Sequence, residues 1–272
     1  MRVSGKAAIV TGGGGGIGGA LAMRLAAEGA RVLVSDLDAT GAERVAARIN
    51  DARPGAAVAA RGDVSDEACV RELINQTEDA FGPVGLYFAN AGIAVGRGLA
   101  AAEDVWDRAI EVNLRAHIRA ARLLLPGWLE RGEGYFVSTA SAAGLLTQIG
   151  SPVYAVTKHA AVAFAEWLSI TYGDKGIRVS CLCPMGVNTP LLRSGQQADD
   201  PFGAVSSRAV TEAGDVLEPE EVAEVVMQAL ADERFLILPH ENVLEMFRQK
   251  GSDYDRWLRG MRRYQKRLLG QD

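Results

Sequence analysis

Tyr154 and Lys158 stand four residues apart in the run Tyr154-Ala155-Val156-Thr157-Lys158. On a helix that spacing puts both side chains on one face, close enough to meet. A free phenol titrates near pH ~10, too high for proton transfer at neutral pH. A neighbouring ammonium favours the phenolate, so the pair can act as one acid/base unit. Ser141 lies one short loop upstream, and its hydroxyl can hold a substrate oxygen and turn it toward the phenol. Ser138 competes for that role. Ser141 is preferred because it lies past the β-like run Tyr135–Ser138 and just before Ala142-Ala143-Gly144.

A second cluster sits near the N-terminus, where Thr11 is followed by Gly12 through Gly16, Ile17, Gly18 and Gly19. Glycines between a strand and a helix let the backbone turn tightly and approach a pyrophosphate, which the helix N-terminus then attracts. Three registers fit. Gly13, Gly15 and Gly18 match G-x-G-x-x-G, as do Gly14, Gly16 and Gly19, while Gly12, Gly16 and Gly18 match T-G-x-x-x-G-x-G. Asp36 ends the second β-like run, where a carboxylate can accept both ribose hydroxyls of an adenosine and would repel a 2′-phosphate. Leu37 follows it and the glycine loop holds no basic residue, which favours NAD over NADP. A plain turn role before Asp38 is the alternative for Asp36.

The elements that would position these residues alternate. Lys6–Thr11, Arg31–Asp36, Ala57–Arg61, Leu86–Ala89, Tyr135–Ser138, Arg178–Cys183 and Phe235–Leu238 read as strands. Between them Gly16–Glu28, Glu43–Asn50, Asp66–Phe81, Glu103–Arg131, Pro152–Tyr172 and Pro219–Ala231 read as helices, with Ser65 as N-cap of the third and a break expected at Pro126-Gly127. This alternation predicts an α/β fold: a single-domain, doubly wound parallel sheet of about seven strands, Rossmann-like, with helices on both faces and a C-terminal helical extension. No linker or repeat divides residues 1–272. Residues 185–217 read as one long irregular segment, expected to lie over the substrate.

Composition narrows the classes. The 272 residues are 48% hydrophobic and 23% charged, enough for a large core and a solvated surface. A net charge of −5 gives no sign of nucleic-acid binding. No apolar run approaches the ~18 residues of a membrane span, and Lys6 and the glycines interrupt any signal-peptide core, so a soluble cytoplasmic protein is expected. Cys69, Cys181 and Cys183 have no metal-ligand spacing; neither a disulfide framework nor a metal site is expected.

Taken in order, Thr11-Gly12-x-x-x-Gly16-x-Gly18, Asp63-Val64, Asn90-Ala91-Gly92, Asn113, Ser141, Tyr154-x-x-x-Lys158 and Pro184 resemble the short-chain dehydrogenase/reductase family over nearly the whole chain. The resemblance selects the Gly12/Gly16/Gly18 register, with Ile17 beside it. It implies that Lys158 also bonds the nicotinamide ribose and that Asn113 helps hold a water linking the lysine to solvent. It implies adenine contacts for Asp63-Val64 and a place on the adenosine ribose side for Asn90-Ala91-Gly92. Pro184, Gly186, Val187 and Thr189 match positions near the nicotinamide, the last two at its carboxamide. Met185 departs from the pattern, which has glycine there. A homo-oligomer, tetramer or dimer, is implied as well.

The expected activity is NAD(H)-dependent interconversion of a secondary alcohol and a ketone. Substrate would lie between Ser141/Tyr154 and residues 185–217. Ala94, Val95, Leu145, Gln148, Met185, Leu191 and Leu192 are candidate wall residues, mostly apolar, so a lipophilic substrate is favoured. An NADP-dependent 3-oxoacyl reductase and a non-catalytic dinucleotide-binding regulator are the alternatives. His159 projects about 100° away from Lys158 around the helix and reads as structural, while His117 and His240 have no partner in the sequence. In the tail, residues 241–270, Tyr254, Trp257, Leu258, Met261, Tyr264 and Leu268 recur at helical spacing opposite a basic face. That tail is expected either to be a solvated helix, or to cap the pocket or pack on a neighbouring subunit.

Overall fold

The computed structural model describes residues 2–94, 98–196 and 201–271. Strands β1 (Ala7–Thr11), β2 (Arg31–Asp36), β3 (Ala57–Arg61), β4 (Val84–Ala89), β5 (Gly134–Thr139) and β6 (Ile177–Leu182) alternate with helices. Strand β1 and strand β5 are buried along their whole length, which is why they read as apolar runs without alternation. With β9 (Leu236–Ile237), they form a seven-stranded sheet in the order β3-β2-β1-β4-β5-β6-β9, every pair parallel. Chain order reverses between β1 and β4, and in open sheets of this kind the crevice beyond that switch point takes the ligand.

One face is covered by α1 (Gly16–Ala27), α2 (Ala39–Ala52) and α10 (Pro219–Ala231), packed on Val10, Val32, Val34 and Phe88. The other carries α3 (Glu67–Phe81), α5 (Ala116–Arg131) and α7 (Pro152–Tyr172) over Ile9, Leu33, Tyr87 and Phe136, with α4 (Glu103–Ile110) packed on Val153 of α7 through Ala109. Two helix expectations need correction. Asp66, not Ser65, caps α3, its carboxylate accepting from Ala68 N at 2.9 Å; Ser65 instead donates to Asp63 Oδ1 at 2.6 Å. The helix from Glu103 does not break at Pro126-Gly127. Pro126 stays inside α5, held between buried Leu124 and Trp128, whose indole donates to Val84 O at 2.7 Å. The irregularity lies earlier, in a π-turn at Glu111–Arg115. Such a turn inserts a residue and re-aims the side chains around it, and this one carries Asn113.

The described part of residues 185–217 is not irregular. It forms β7 (Gly186–Val187), α8 (Pro190–Gln196), α9 (Pro201–Thr211) and β8 (Val216–Leu217), with β7 and β8 paired in parallel. Pro190 and Pro201 open the two helices, where a missing N–H costs nothing. The polar composition of α9 hides its amphipathic design. Val205 and Ala209 pack on the tail, while Gly203, Ser206, Ser207 and Val210 face the crevice.

The tail forms α11 (Asn242–Ser252) and α12 (Tyr254–Leu268). Met261, Tyr264, Leu268 and Leu269 bury against Ile149, Val205 and Ala209. The Tyr264 hydroxyl donates to Ala209 O and Arg208 Nη1 to Leu268 O, both at 2.9 Å. So the helix is no free solvated rod; within its own chain it backs α9. Tyr254 and Leu258, expected on the same apolar face, remain exposed, and the arginines 259, 262 and 263 face water.

Leu268→Ala is expected to weaken this docking by about 2 kcal/mol. Hydrogen exchange would then rise in both α9 and α12 while the central strands stay protected. A rise confined to α12 would contradict the packing described.

Candidate active site

The crevice is a cleft of about 990 Å³ that runs along the carboxyl ends of the strands. At one end lies the glycine turn, where the structure separates the three registers. Gly12 and Gly16 have φ of +63° and +52°, in the left-handed region. A Cβ on Gly12 would come within 2.9 Å of Ala91 Cα, and one on Gly18 would overlap the Gly12 carbonyl. Gly15 has extended backbone and open space around it. Gly12, Gly16 and Gly18 are thus demanding by φ or by close approach; Gly13 is tight as well, a Cβ there meeting Val34 at 2.8 Å, while the open space at Gly15 disfavours the Gly13/Gly15/Gly18 register. Asp36 stands opposite, its Oδ2 accepting from Gly14 N at 2.9 Å and its Oδ1 from Asp38 N at 3.0 Å. The turn role and the place at the cleft are both present in one carboxylate.

Asp63, Val64, Ala91, Gly92 and Ile17 line the same cleft. Asn90 braces it from behind. Its Nδ2 donates to Thr11 O at 2.9 Å and its Oδ1 accepts from Thr139 Oγ1 at 3.2 Å. Arg44 is a wall residue that the sequence reading missed; its Nη2 donates to Gly14 O at 3.3 Å. Helix α2 carries it back over the glycine turn, and only the helix start at Ala39 would have signalled this.

Ser141, Tyr154 and Lys158 meet at the other end. Ser141 Oγ donates to Pro184 O at 3.4 Å and accepts from Ala143 N at 3.1 Å, and its hydroxyl lies near enough to the Tyr154 phenol to act on its ionisation. Lys158 is buried, with Nζ 5.7 Å from the centre of the Tyr154 ring and donating to Thr139 O at 2.8 Å. Burial lowers its ammonium from 10.5 to about 8. Burial also pushes the Tyr154 phenol up, with the Ser141 hydroxyl opposing that shift. In the protein alone, desolvation thus governs both groups; the lysine charge does not by itself bring the phenol down. Ser138 is committed elsewhere, to His117 Nδ1 at 3.0 Å. Burial lowers His117 to about 3, so its imidazole is neutral. His159 bonds only its own helix, Nδ1 lying 2.8 Å from Ala155 O.

Asn113 sits behind the cleft rather than in its wall. Its Oδ1 accepts from Ile93 N at 2.9 Å, and its Nδ2 donates to Ile93 O at 2.9 Å and Thr157 Oγ1 at 3.1 Å. A Cβ on Gly92 would lie 3.2 Å from Asn113 Oδ1 and 3.3 Å from Lys158 Nζ, so the two residues flank one backbone position.

Pro184, Met185, Val187 and Thr189 line the cleft, with Thr189 reaching across to Gly16. Gly186 is a correction: it lies off the wall, packed against Val216 and Val210. Its carbonyl accepts from His240 Nε2 at 3.0 Å, while Met185 N donates to His240 Nδ1 at 3.2 Å. His240 thereby spans the turn that holds the unexpected methionine. Ala94, Gln148, Leu191 and Leu192 also line the cleft. Leu145 does not, being part of the core, and Val95 lies outside the described residues. The Gln148 amide is spent on α9, donating to Ser206 O at 3.0 Å.

The sheet order, the glycine turn at its switch point and the helices on both faces are the architecture of Rossmann-like oxidoreductases. The family described as short chain dehydrogenase matches residues 6–200, and the chain belongs to it. It is 34% identical over 261 residues to 1-deoxy-11-beta-hydroxypentalenate dehydrogenase of Streptomyces exfoliatus, covering 93% of this chain and 90% of that one. It is 34% identical over 205 residues to levodione reductase of Leifsonia aquatica, covering 74% and 76%. A solved short chain dehydrogenase/reductase from Burkholderia phymatum, in complex with NAD, superposes with a TM-score of 0.85 at 29% identity, covering 94% of this chain and 96% of that one.

The lysine burial has a measurable sign. Folding disfavours the ammonium, so between about pH 8 and 10.5 the unfolded chain binds more protons than the folded one. Stability should rise with pH across that window, by about 3 kcal/mol from this group. Lys158→Met is expected to flatten the rise in thermal or denaturant melts taken from pH 7 to 11. An unchanged slope would refute the burial effect.

Proposed function

We propose that the protein is an NAD(H)-dependent oxidoreductase that interconverts a secondary alcohol and a ketone on a lipophilic substrate, with Tyr154 as general acid/base. The observation that carries this reading is the meeting of Ser141, Tyr154 and the Lys158 amine in the same cleft as Asp36, with Nζ 5.7 Å from the Tyr154 ring. A binding-only protein has no need of that trio.

The residues fit NAD. Gly12, Gly16, Ile17 and Gly18 offer the pyrophosphate a close backbone approach, and Asp36 offers a carboxylate to the adenosine ribose. Asp63 and Val64 would take the adenine, and Asn90, Ala91 and Gly92 the sugar side. Pro184, Val187 and Thr189 would flank the nicotinamide. Lys158 would add a bond to the nicotinamide ribose. When bound, the nicotinamide accepts or gives the hydride.

The chain's own residues would do the rest. Ser141 holds the substrate oxygen and Tyr154 moves its proton, giving it to a ketone or taking it from an alcohol. The Lys158 ammonium steadies the phenolate that appears when the proton has left. Because burial raises the phenol, the positive charge of an oxidised nicotinamide would add to the lysine in easing its ionisation. Asn113 positions rather than reacts: it fixes the Gly92–Ile93 backbone against the amine, beside the path of the water relay to solvent. Met185, Leu191, Leu192 and Val210 give the substrate end an apolar wall, with Gln148 bound across it to α9. Residues 1–272 work as one catalytic unit in this reading, with 185–217 over the substrate.

A homo-oligomer, tetramer or dimer, accompanies the reading. Val156, Trp167 and Ile170 are exposed along α7, an apolar stripe suited to a second copy. Among the described residues no helix is long and apolar enough to cross a membrane. Three free cysteines suit a reducing compartment, in keeping with a cytoplasmic location.

Tyr154→Phe should lower turnover about a thousandfold on an alcohol and ketone panel, within the range of lost acid/base catalysis. NADH affinity, read by fluorescence titration, should stay near wild type. Full turnover in the variant would sink the acid/base assignment; an inactive wild type that still binds NADH would favour the regulator. For the cofactor, wild type should bind NAD about a hundredfold more tightly than NADP, the cost of setting a carboxylate against a phosphate. Asp36→Ala should narrow that gap, helped by Arg44. Tighter NADP binding by wild type would overturn the Asp36 reading and favour a 3-oxoacyl reductase.

A further inference from the structure

Three buried side-chain atoms among the described residues have no hydrogen-bond partner: Ser35 Oγ, His117 Nε2 and Ser207 Oγ. Of these residues only Ser207 lines the cleft. It is 6% exposed, so water reaches its hydroxyl poorly. Buried hydroxyls are nearly always paired, and an orphan on a pocket wall marks a place where a ligand's oxygen would complete the bond.

Helix α9 fixes where that hydroxyl stands. Residues 203, 206, 207 and 210 follow helical spacing and share the face turned to the cleft. At one end of that face Ser206 is tied to Gln148; at the other, Val210 packs beside Gly186, next to Met185. Ser207 lies between the two ties, on the wall that faces the Ser141–Tyr154 end. Its neighbour Ser206 already accepts from Gln148 Nε2 at 3.1 Å, so Ser207 is the hydroxyl left over.

We propose that Ser207 recognises a second oxygen on the substrate, so that the site takes secondary alcohols or ketones bearing a further neutral oxygen: diols, hydroxyketones or diketones. This rests on the oxidoreductase reading above. Neutrality follows from where the cations described on the cleft wall are directed. Arg44 donates to Gly14 O, Arg108 stands near Asp63, and Lys158 donates to Thr139 O. Arg208, beside Ser207 in sequence, turns away to Leu268 O. Among the described residues no cation is thus directed at Ser207 to take a carboxylate. A hydroxyl can donate to a carbonyl or accept from an alcohol, so oxidised and reduced forms are both served. The second oxygen takes no part in the chemistry.

The test is a set of matched pairs turned over with the wild-type protein and its preferred nicotinamide cofactor: butan-2-ol against butane-2,3-diol, and cyclohexanone against cyclohexane-1,4-dione. The second member should win by about tenfold in kcat/KM, beyond the statistical advantage of two equivalent groups, and chiefly through KM. In Ser207→Ala the ratio should fall toward one, with NADH titration as the folding control. Turnover of both members without preference overturns the inference alone, as does a preference that survives in Ser207→Ala. Failure to turn over any pair overturns the oxidoreductase reading itself, and this inference with it.

Discussion

A buried ammonium without a carboxylate is the constraint around which the site is built. Among the described residues no carboxylate pairs with Lys158; its amine donates to the Thr139 carbonyl at the end of β5. Desolvating an amine in that way is costly and is tolerated where its neighbours are rigid. The rigidity is visible as one line of hydrogen bonds. Thr139 bonds Asn90, and Asn90 bonds the carbonyls of Thr11 and Gly12. The glycine turn on β1, the asparagine after β4 and the lysine across from β5 are therefore braced together. A displacement at one end of the cleft would be felt at the other.

Much of this was legible because its causes are local. The apolar runs of β1 and β5 are long enough to mark buried strands, and the i, i+4 spacing of Tyr154 and Lys158 needs only a helix. Gly12, Gly16 and Gly18 stand at positions where turn sterics admit nothing larger. What escaped depends on contacts between distant parts. The π-turn at 111–115 leaves no mark in composition; Asn113 looks like any polar helix residue until Ile93 and Thr157 are placed beside it. His240 gains its partners only when β9 brings it under the turn after β6. Arg44 needed the start of α2 to be located. Pro126 was misread for the opposite reason: a strong local rule yielded to the packing of Leu124 and Trp128.

The segment after β6 shows how polar composition can conceal order. Residues 201–211 hold a proline, a glycine, two serines, one arginine and a threonine beside Phe202, Val205 and Val210, a make-up that a loop would suit as well. The helix exists because each face has something to meet. Val205 and Ala209 find the tail, and Gly203, Ser206 and Val210 find the cleft.

The active-site wall that α9 supplies is propped by residues within the last dozen of the chain. Leu268 and Tyr264 stand behind it, and the Leu268 carbonyl holds Arg208. A substitution on the inner face of α12, remote from any chemistry, would therefore be felt as a change in the shape of the cavity.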